Sequence, residues 1–395
     1  MCKEYHDLNP HQRILMGPGP SNVDSRVLKA MATPLIGHLD PDFLEIMNET
    51  MELLRYVFGT ENEMTIAMSG TGSSGMETCL VNLLEPGDKA VVGINGLFGQ
   101  RMADIIGRCG AELIPVEAEW GKIIEPEDIE EALKNNPGVK LVCIVHAETS
   151  TGVRQPLKEI ADIAHRFDAL LVADTVTSLG GIPVELDKNG VDATYSGTQK
   201  CLSCPPGLSP VSFNEKAVKV LENRKSKVQS WYLDLTMIRN YWGKERFYHH
   251  TAPISMIYAL REALRLVYEE GLEARYKRHL LNGGAFTTGI EAMGLELLVE
   301  EEYRLPELIA IKIPEGVEDS FVRSTLLNEF NIEIGGGLGE LAGKLWRVGL
   351  MGVSSTKKNV YLCLTALESI LSRTDFKVER GAAVAAAEEY YKNNS

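Results

Sequence analysis

Residues 169–200 read ALLVADTVTSLGGIPVELDKNGVDATYSGTQK, and the rest of the chain is organised around them. Ala169-Leu170-Leu171-Val172-Ala173 is an apolar run without alternation that stops at Asp174. Such a run reads as a strand buried on both faces, the habit of parallel sheets in α/β proteins. In open α/β sheets ligands gather beyond the carboxyl ends of the strands, where Asp174 falls. A second short strand, Ala193-Thr194-Tyr195-Ser196, leads through Gly197-Thr198-Gln199 to Lys200. One sheet edge thus receives both a carboxylate and an amine. Taken singly, an Asp closing a strand is usually a cap and a loop Lys is usually solvated. The pair, with Ser-Gly-Thr-Gln before the lysine, points to chemistry.

Upstream, Thr65–Met68 reads as a strand running into Ser69-Gly70-Thr71-Gly72-Ser73-Ser74-Gly75, with a helix predicted from Met76 to Leu84. Formally this is G-x-G-x-x-G between a strand and a helix, which admits a nicotinamide-dependent oxidoreductase. That fingerprint also demands an acid at the end of the next strand, to hold the ribose. The next strand, Ala90–Ile94, ends in Asn95-Gly96. A cradle for a single phosphate fits better: N–H groups at a helix N-terminus, with the hydroxyls of Thr71 and Ser73. Leu141–Val145 is another fully apolar strand, ending in His146-Ala147-Glu148-Thr149-Ser150-Thr151-Gly152. An amine, an acid and a phosphate cradle on one sheet are what pyridoxal 5′-phosphate (PLP) chemistry requires. The lysine holds the cofactor aldehyde and the acid keeps the pyridine nitrogen protonated.

From Gly17-Pro18-Gly19-Pro20-Ser21-Asn22 to about Leu371 the chain resembles the class V aminotransferases, which are fold-type I PLP enzymes. Within them it is most similar to the alanine–glyoxylate and serine–pyruvate aminotransferase group. The resemblance implies an α/β fold, with a mostly parallel seven-stranded sheet in a large domain and a smaller α+β C-terminal domain. It makes Lys200 the cofactor anchor and proton carrier, and Asp174 the partner of the ring nitrogen. Thr71, Gly72 and Ser73 match the phosphate turn, although animal members carry His where this chain has Ser73. Phe98 stands where the family often has a stacking Trp, Val176 packs on the opposite face, and Gln199 adds a polar contact. Thr149, in H-x-E-[ST]-S-T-G, reaches the phenolic oxygen, and Arg347 clamps the substrate carboxylate. Gly19 and its neighbours wall the substrate pocket. Arg246-Phe247-Tyr248-His249-His250-Thr251 resembles the Y-H-H-T segment, whose Tyr248 and Thr251 reach the site of the neighbouring subunit, implying a homodimer. The implied reaction moves an amino group from alanine or serine to glyoxylate or pyruvate. A ureidoglycine-using branch has Gln where this chain has His38 and Asn where it has Ser255. A PLP lyase such as a cysteine desulfurase is a further alternative; it needs a catalytic cysteine on a mobile loop.

The bulk of the sequence agrees with such an enzyme. A chain of 395 residues can hold one large and one smaller core. The expected divisions are an N-terminal arm at 1–16 that packs on the partner, a large domain at 17–271, a small domain at 272–375 and a surface helical tail at 376–395. A net charge of −15 argues against nucleic-acid binding. No window approaches the run of about 18 apolar residues needed to span a membrane. The polar N-terminus has no signal-like apolar segment, and the C-terminus is no peroxisomal address, so the expectation is cytoplasmic. Seven scattered cysteines form no disulfide framework. Cys201 and Cys204 make a CxxC with no second pair to complete a zinc site. They read as small packing residues beneath the cofactor, with a redox role as the alternative. Metal binding is equally unsupported at the His249-His250 pair, because adjacent residues of an extended segment point to opposite sides and no third ligand clusters with them. No metal is expected. His146 and Glu148 read as structural polar groups.

Overall fold

The protein is described from a computed structural model covering residues 5–394, so the first four residues of the expected arm lie outside the described residues. Seven strands form the central sheet: β1 (Met64–Ser69), β2 (Lys89–Ile94), β3 (Glu112–Glu117), β4 (Val139–Val145), β5 (Leu170–Asp174), β6 (Ala193–Tyr195) and β7 (Leu208–Phe213). Their order is β1-β7-β6-β5-β4-β2-β3. Only β7 runs antiparallel to its neighbours; the pairs on the other side are all parallel. The registers set Val145, Asp174 and Tyr195 level at the carboxyl edge. Every residue of β5 is buried, as its unbroken apolar run requires.

Helices cover both faces, each for a local reason. α1 (Ser25–Met31) is capped by Asp24, and α2 (Pro41–Phe58) by Asp40, with Pro at its first turn and a left-handed Gly59 at its end. Of the positions that the sequence spacing marks as one face of α2, Phe43, Met47, Leu54 and Val57 are buried and Ile46 and Met51 half-buried. α3 (Gly72–Leu83) begins four residues before the predicted Met76. Gly72-Ser73-Ser74-Gly75 has poor helix propensity, which hides the true start. α4 (Leu97–Arg108) follows β2. These elements share one large hydrophobic core.

α5 (Ile254–Glu270) and α6 (Leu272–Ala292) are separated by Gly271, at φ 79°. α6 leads to a second core, built with β8 (Leu308–Lys312), β9 (Gly335–Gly336), β10 (Leu345–Gly349), α7 (Asp319–Glu329) and α8 (Lys357–Leu371). The strands β8, β10 and β9 form an antiparallel three-stranded sheet. Two expectations change here. The end of the N-terminal arm is tied into this second unit: Ile14–Leu15 pairs in parallel with Ile332–Glu333, and Met16 is buried in the second core. Apolar Ile14 and Met16 gain more by burial than by lying free. The C-terminal helix α9 (Ala382–Asn394) is likewise no mere surface tail. It buries Ala383, Ala387 and Tyr391, and its Tyr390 hydroxyl lies so near Gly284 of α6 that a Cβ there would meet it at 2.1 Å.

A small cluster of Ala147, Ile182, Cys201, Leu305, Leu308 and Met351 fills the space between the two cores. Glu307 lies in it, fully buried, and among the described residues neither of its carboxyl oxygens finds a hydrogen-bond partner. A Cβ at Gly181 would touch both the Cys201 Sγ, at 2.7 Å, and the Glu307 carboxyl carbon, at 3.3 Å. Burial pushes this carboxyl up to about 8.

Candidate active site

Past β6 the chain turns sharply, and the turn is held by its own backbone. Ser203 and Cys204 donate N–H groups to the carbonyls of Lys200 and Thr198, at 3.0 and 3.1 Å. Ser21 Oγ donates to the Lys200 carbonyl at 2.7 Å, and Ser21 N–H to that of Gln199 at 2.8 Å. The Lys200 side chain is buried and its Nζ donates to the Pro18 carbonyl. It lies against Gly19, where φ is +106° and a Cβ would meet Lys200 Cδ, Cε and Nζ at 2.7–2.9 Å. A side chain there would need both a displaced lysine and a backbone conformation that residues other than glycine rarely adopt. Burial first, then the Arg347 charge, lowers the lysine to about 8.

Asp174 closes β5 in the same layer. Its Oδ1 accepts from the Val176 N–H at 2.8 Å and its Oδ2 from the Tyr195 hydroxyl at 2.7 Å. Burial raises its carboxyl to about 6 in spite of these donors. Thr149 Oγ1 and Thr177 Oγ1 are 2.5 Å apart. Arg347 crosses from β10 and donates Nη1–H to the Thr149 carbonyl at 2.9 Å and Nε–H to the Gly336 carbonyl at 2.8 Å. Burial holds the guanidinium down at about 10. The rest of its fork has no partner among the described residues.

The glycine turn faces this group. Thr71 is the N-cap of α3 but makes no side-chain cap bond, and Thr71 and Ser73 are exposed. A Cβ on Gly72 would lie 3.5 Å from both Val176 Cγ2 and Gly197 Cα, so the turn, Val176 and the lysine segment adjoin. Gln199 Oε1 is buried without a partner among the described residues. Phe98, half-buried at the start of α4, has its N–H held by buried Glu148 at 3.2 Å. Arg101 lies 4.8 Å from the centre of its ring and donates to Ser73 Oγ at 3.3 Å. His146 Nδ1 is 3.0 Å from Ser178 Oγ, and burial lowers the ring to about 4, so both it and Glu148 serve the framework.

A second group comes from the segment around residues 247–255, with His38 against it. Tyr248 and Thr251 are exposed, the His38 ring lies 5.1 Å from the Tyr248 ring, and Ser255 is half-buried near the start of α5. Trp231 and Phe247 are exposed too, 60% and 65%. His249 and His250 do not point to opposite sides: their Nδ1 atoms are 2.8 Å apart. Arg246, at φ 54°, breaks the extended alternation just before them. Among the described residues no cluster of three or more His, Cys, Asp or Glu side chains could hold a metal ion.

The rival classes meet physical obstacles. β1 is an edge strand paired only with antiparallel β7, so α3 does not cross to an adjacent parallel strand as a dinucleotide fold requires. Asn95, where the ribose acid would stand, donates to the Lys122 carbonyl instead. All six described cysteines are buried, Cys201 and Cys204 included, and burial pushes both of those thiols up. Among the described residues this leaves no exposed thiol of the kind a redox or desulfurase role needs.

The sequence matches the aminotransferase class-V family across residues 15–350. The chain belongs to that family. It is therefore a transaminase, and its relatives extend along most of its length. It is 42% identical to the alanine–glyoxylate aminotransferase of Oryctolagus cuniculus, over 92% of this chain and 93% of that one. The crystal structure of an alanine–glyoxylate aminotransferase from Nostoc sp. is similar with a TM-score of 0.92 and 49% identity, covering 93% of this chain and 98% of that one. That of ureidoglycine–glyoxylate aminotransferase from Bacillus subtilis gives 0.96 and 43%, over 98% and 100%. The fold is that of the fold-type I PLP aminotransferases. No helix among the described residues is long and apolar enough to cross a membrane.

Sequence reasoning missed Tyr195, Arg101 and the Ser69–His250 contact. Tyr195 had a signal, since it ends the strand that pairs with β5. Arg101 had a weaker one, three residues after Phe98 on a helix. The third had none, for it joins residues 181 positions apart.

Proposed function

We propose that this transaminase binds PLP between the α3 turn and Lys200 and transfers an amino group from alanine or serine to glyoxylate. When bound, PLP supplies an aldehyde that captures the amino group and a pyridinium ring that takes up electrons from Cα. The observation that carries the reading is Lys200, buried, pressed against Gly19 and held near 8. An amine so lowered is partly neutral near physiological pH, able to act as nucleophile and then to carry a proton to and from the substrate Cα.

The surrounding residues fit the same group. Asp174 Oδ2, steadied by Tyr195 and ionised above about 6, can accept from the ring N–H. The Ser74 N–H is taken by the Thr71 carbonyl at 2.7 Å, but the N–H groups of Gly72 and Ser73, which open α3, suit a phosphate together with the hydroxyls of Thr71 and Ser73. The orphaned Gln199 Oε1 offers an acceptor beside it. Val176 and Phe98 provide the two apolar faces, and the Thr149 hydroxyl the contact to the phenolic oxygen. Arg347 keeps part of its planar fork for the substrate carboxylate, a two-pronged charge-assisted contact. Gly19, His38 and Ser255 shape the remaining pocket.

Exposed Tyr248 and Thr251, in an aromatic patch with Trp231 and Phe247, support a homodimer in which they complete the neighbouring site. The two cores support a large domain at 17–271 and a small one at 272–375, with the helix break at Gly271 between them. A second reading, ureidoglycine as donor, is favoured by the near full-length likeness to the Bacillus subtilis enzyme. His38 and Ser255 argue against it, since a ureido group wants amide-like partners offering both donor and acceptor.

The test is a kcat/KM comparison of alanine, serine and freshly generated ureidoglycine, each with glyoxylate, on protein whose visible-edge absorbance band reports PLP. Alanine or serine should lead. A clear preference for ureidoglycine overturns the donor, and a colourless protein that no added PLP activates overturns the cofactor.

A further inference from the structure

Beside the α3 turn lies a hydrogen-bonded chain that transamination as described above does not use. Ser69 closes β1 immediately before Gly70-Thr71-Gly72, and its Oγ is 2.7 Å from His250 Nε2. His250 Nδ1 is 2.8 Å from His249 Nδ1. His249 is buried, its Nε2 has no partner among the described residues, and the Trp231 ring stacks on it at 4.4 Å and 16°. Tyr232 and Tyr241 close around His250, with ring centres at 5.0 and 6.2 Å.

Two neutral arrangements satisfy these distances. In one, Ser69 donates to His250, His250 donates to His249, and an N–H of His249 is buried with no acceptor. In the other the polarity is reversed. His249 Nδ1–H donates to His250 Nδ1, His250 Nε2–H donates to Ser69 Oγ, and only a lone pair on His249 is left bare. Buried N–H groups without an acceptor are the rarer defect. An anion drawn to the N-terminus of α3 also favours the second, because every dipole in the chain then turns its positive end toward the turn. In that arrangement the Ser69 hydroxyl proton is free to be donated.

We propose that His250, with its tautomer fixed by His249, is a positioning residue that presents the Ser69 hydroxyl as a donor to the phosphate of the cofactor. The proposal rests on the phosphate reading of the turn given above. Ser69 makes the contact, and the histidines act through it.

The experiment titrates apoenzyme, prepared by resolving the cofactor, with PLP and separately with pyridoxal, which has no phosphate. His250→Leu and Ser69→Ala should each weaken PLP about tenfold, the size of one lost hydrogen bond to a charged group, and leave pyridoxal within about twofold. The double variant should be no worse than either single one. His250→Gln keeps an N–H near the Nε2 position and should restore most of the PLP affinity. A purely structural role would instead weaken both ligands alike and lower the melting temperature of the apoprotein. Equal losses for the two ligands, additive losses in the double variant, or failure of Gln to rescue would each overturn the proposal. Thr71→Ala separates the two levels. If it lowers the PLP-to-pyridoxal ratio while the Ser69 and His250 variants do not, the positioning chain alone falls. If it too leaves the ratio unchanged, the phosphate reading of the turn falls with it.

Discussion

Glu307→Gln should flatten the pH dependence of stability. Glu307 is fully buried, both of its oxygens lack partners among the described residues, and burial raises it from the ordinary 4.5 to about 8. Its folded pKa is above its unfolded one, so the native carboxyl is neutral across most of the physiological range. Unfolding then releases a proton. The stability associated with the neutral form is fully present below about 4.5 and is lost as pH rises toward 8. Each unit corresponds to about 1.4 kcal/mol, so roughly three units, from pH 5 to 8, amount to at most about 4 kcal/mol. Water entering around the ionised group reduces this, and about 2–4 kcal/mol is expected. Gln has nearly the same shape and cannot ionise. Urea unfolding of wild type and variant, both saturated with PLP, at pH 5, 6, 7 and 8 gives the difference at each pH. Other titrating groups, Asp174 and Lys200 among them, cancel in that difference. The variant should be no more stable than wild type at pH 5 and clearly more stable at pH 8. Parallel profiles across the range would refute the reasoning, and would mean that Glu307 is not carried neutral into the native state.

Further outcomes follow from the site. Lys200→Ala should abolish turnover, beyond the roughly 10²–10⁴ lost with an acid–base group alone, while PLP still binds non-covalently; more than about a tenth of wild-type rate would contradict its role. Gly19→Ala places a Cβ within 2.7–2.9 Å of the lysine at a φ of +106°, so activity should fall at least about tenfold and unfolding should become easier by about 1–3 kcal/mol; an unaffected kcat would show that the lysine moves aside. Arg347→Lys should raise KM for both amino and oxo acids by the worth of one charged hydrogen bond, roughly 1.5–3 kcal/mol; unchanged KM values would remove it from the carboxylate clamp. Mixing Lys200→Ala chains with Tyr248→Phe, Thr251→Ala chains should give more activity than either parent. No recovery after demonstrated subunit exchange would count against a shared site.

Much of this was legible in the sequence because it is local. The apolar run ending at Asp174 and the short strand leading to Lys200 each announce a strand and its carboxyl end within a few residues. What was hidden depends on contacts between distant segments. Tyr195 meets Asp174 only through the β5–β6 register. Arg347 is held by Thr149 and Gly336, one of them 198 positions away. The start of α3 was misplaced because its first turn is glycine and serine, and such a turn is helical only when the tertiary structure holds it so. The paired histidines were misread because alternation holds for extended backbone, and Arg246 interrupts it. The C-terminal helix read as a surface tail because alanine signals no face; its docking site, on Gly284 of α6, is likewise silent.

The place of β7 has a consequence for how the chain comes to be made. β1 has no other partner in the sheet, and the register sets Ser69 opposite Leu208. A growing chain emerging from the ribosome therefore carries β1 and the glycine turn behind it as an unpaired segment until about residue 213 has been synthesised. The parallel strands between can assemble first, but the sheet cannot seat its outermost strand during that interval. Contacts of such long sequence separation form late and slowly. The turn read as the phosphate cradle thus cannot be seated before β7 has been made, although it belongs to the earliest strand of the sheet in sequence order.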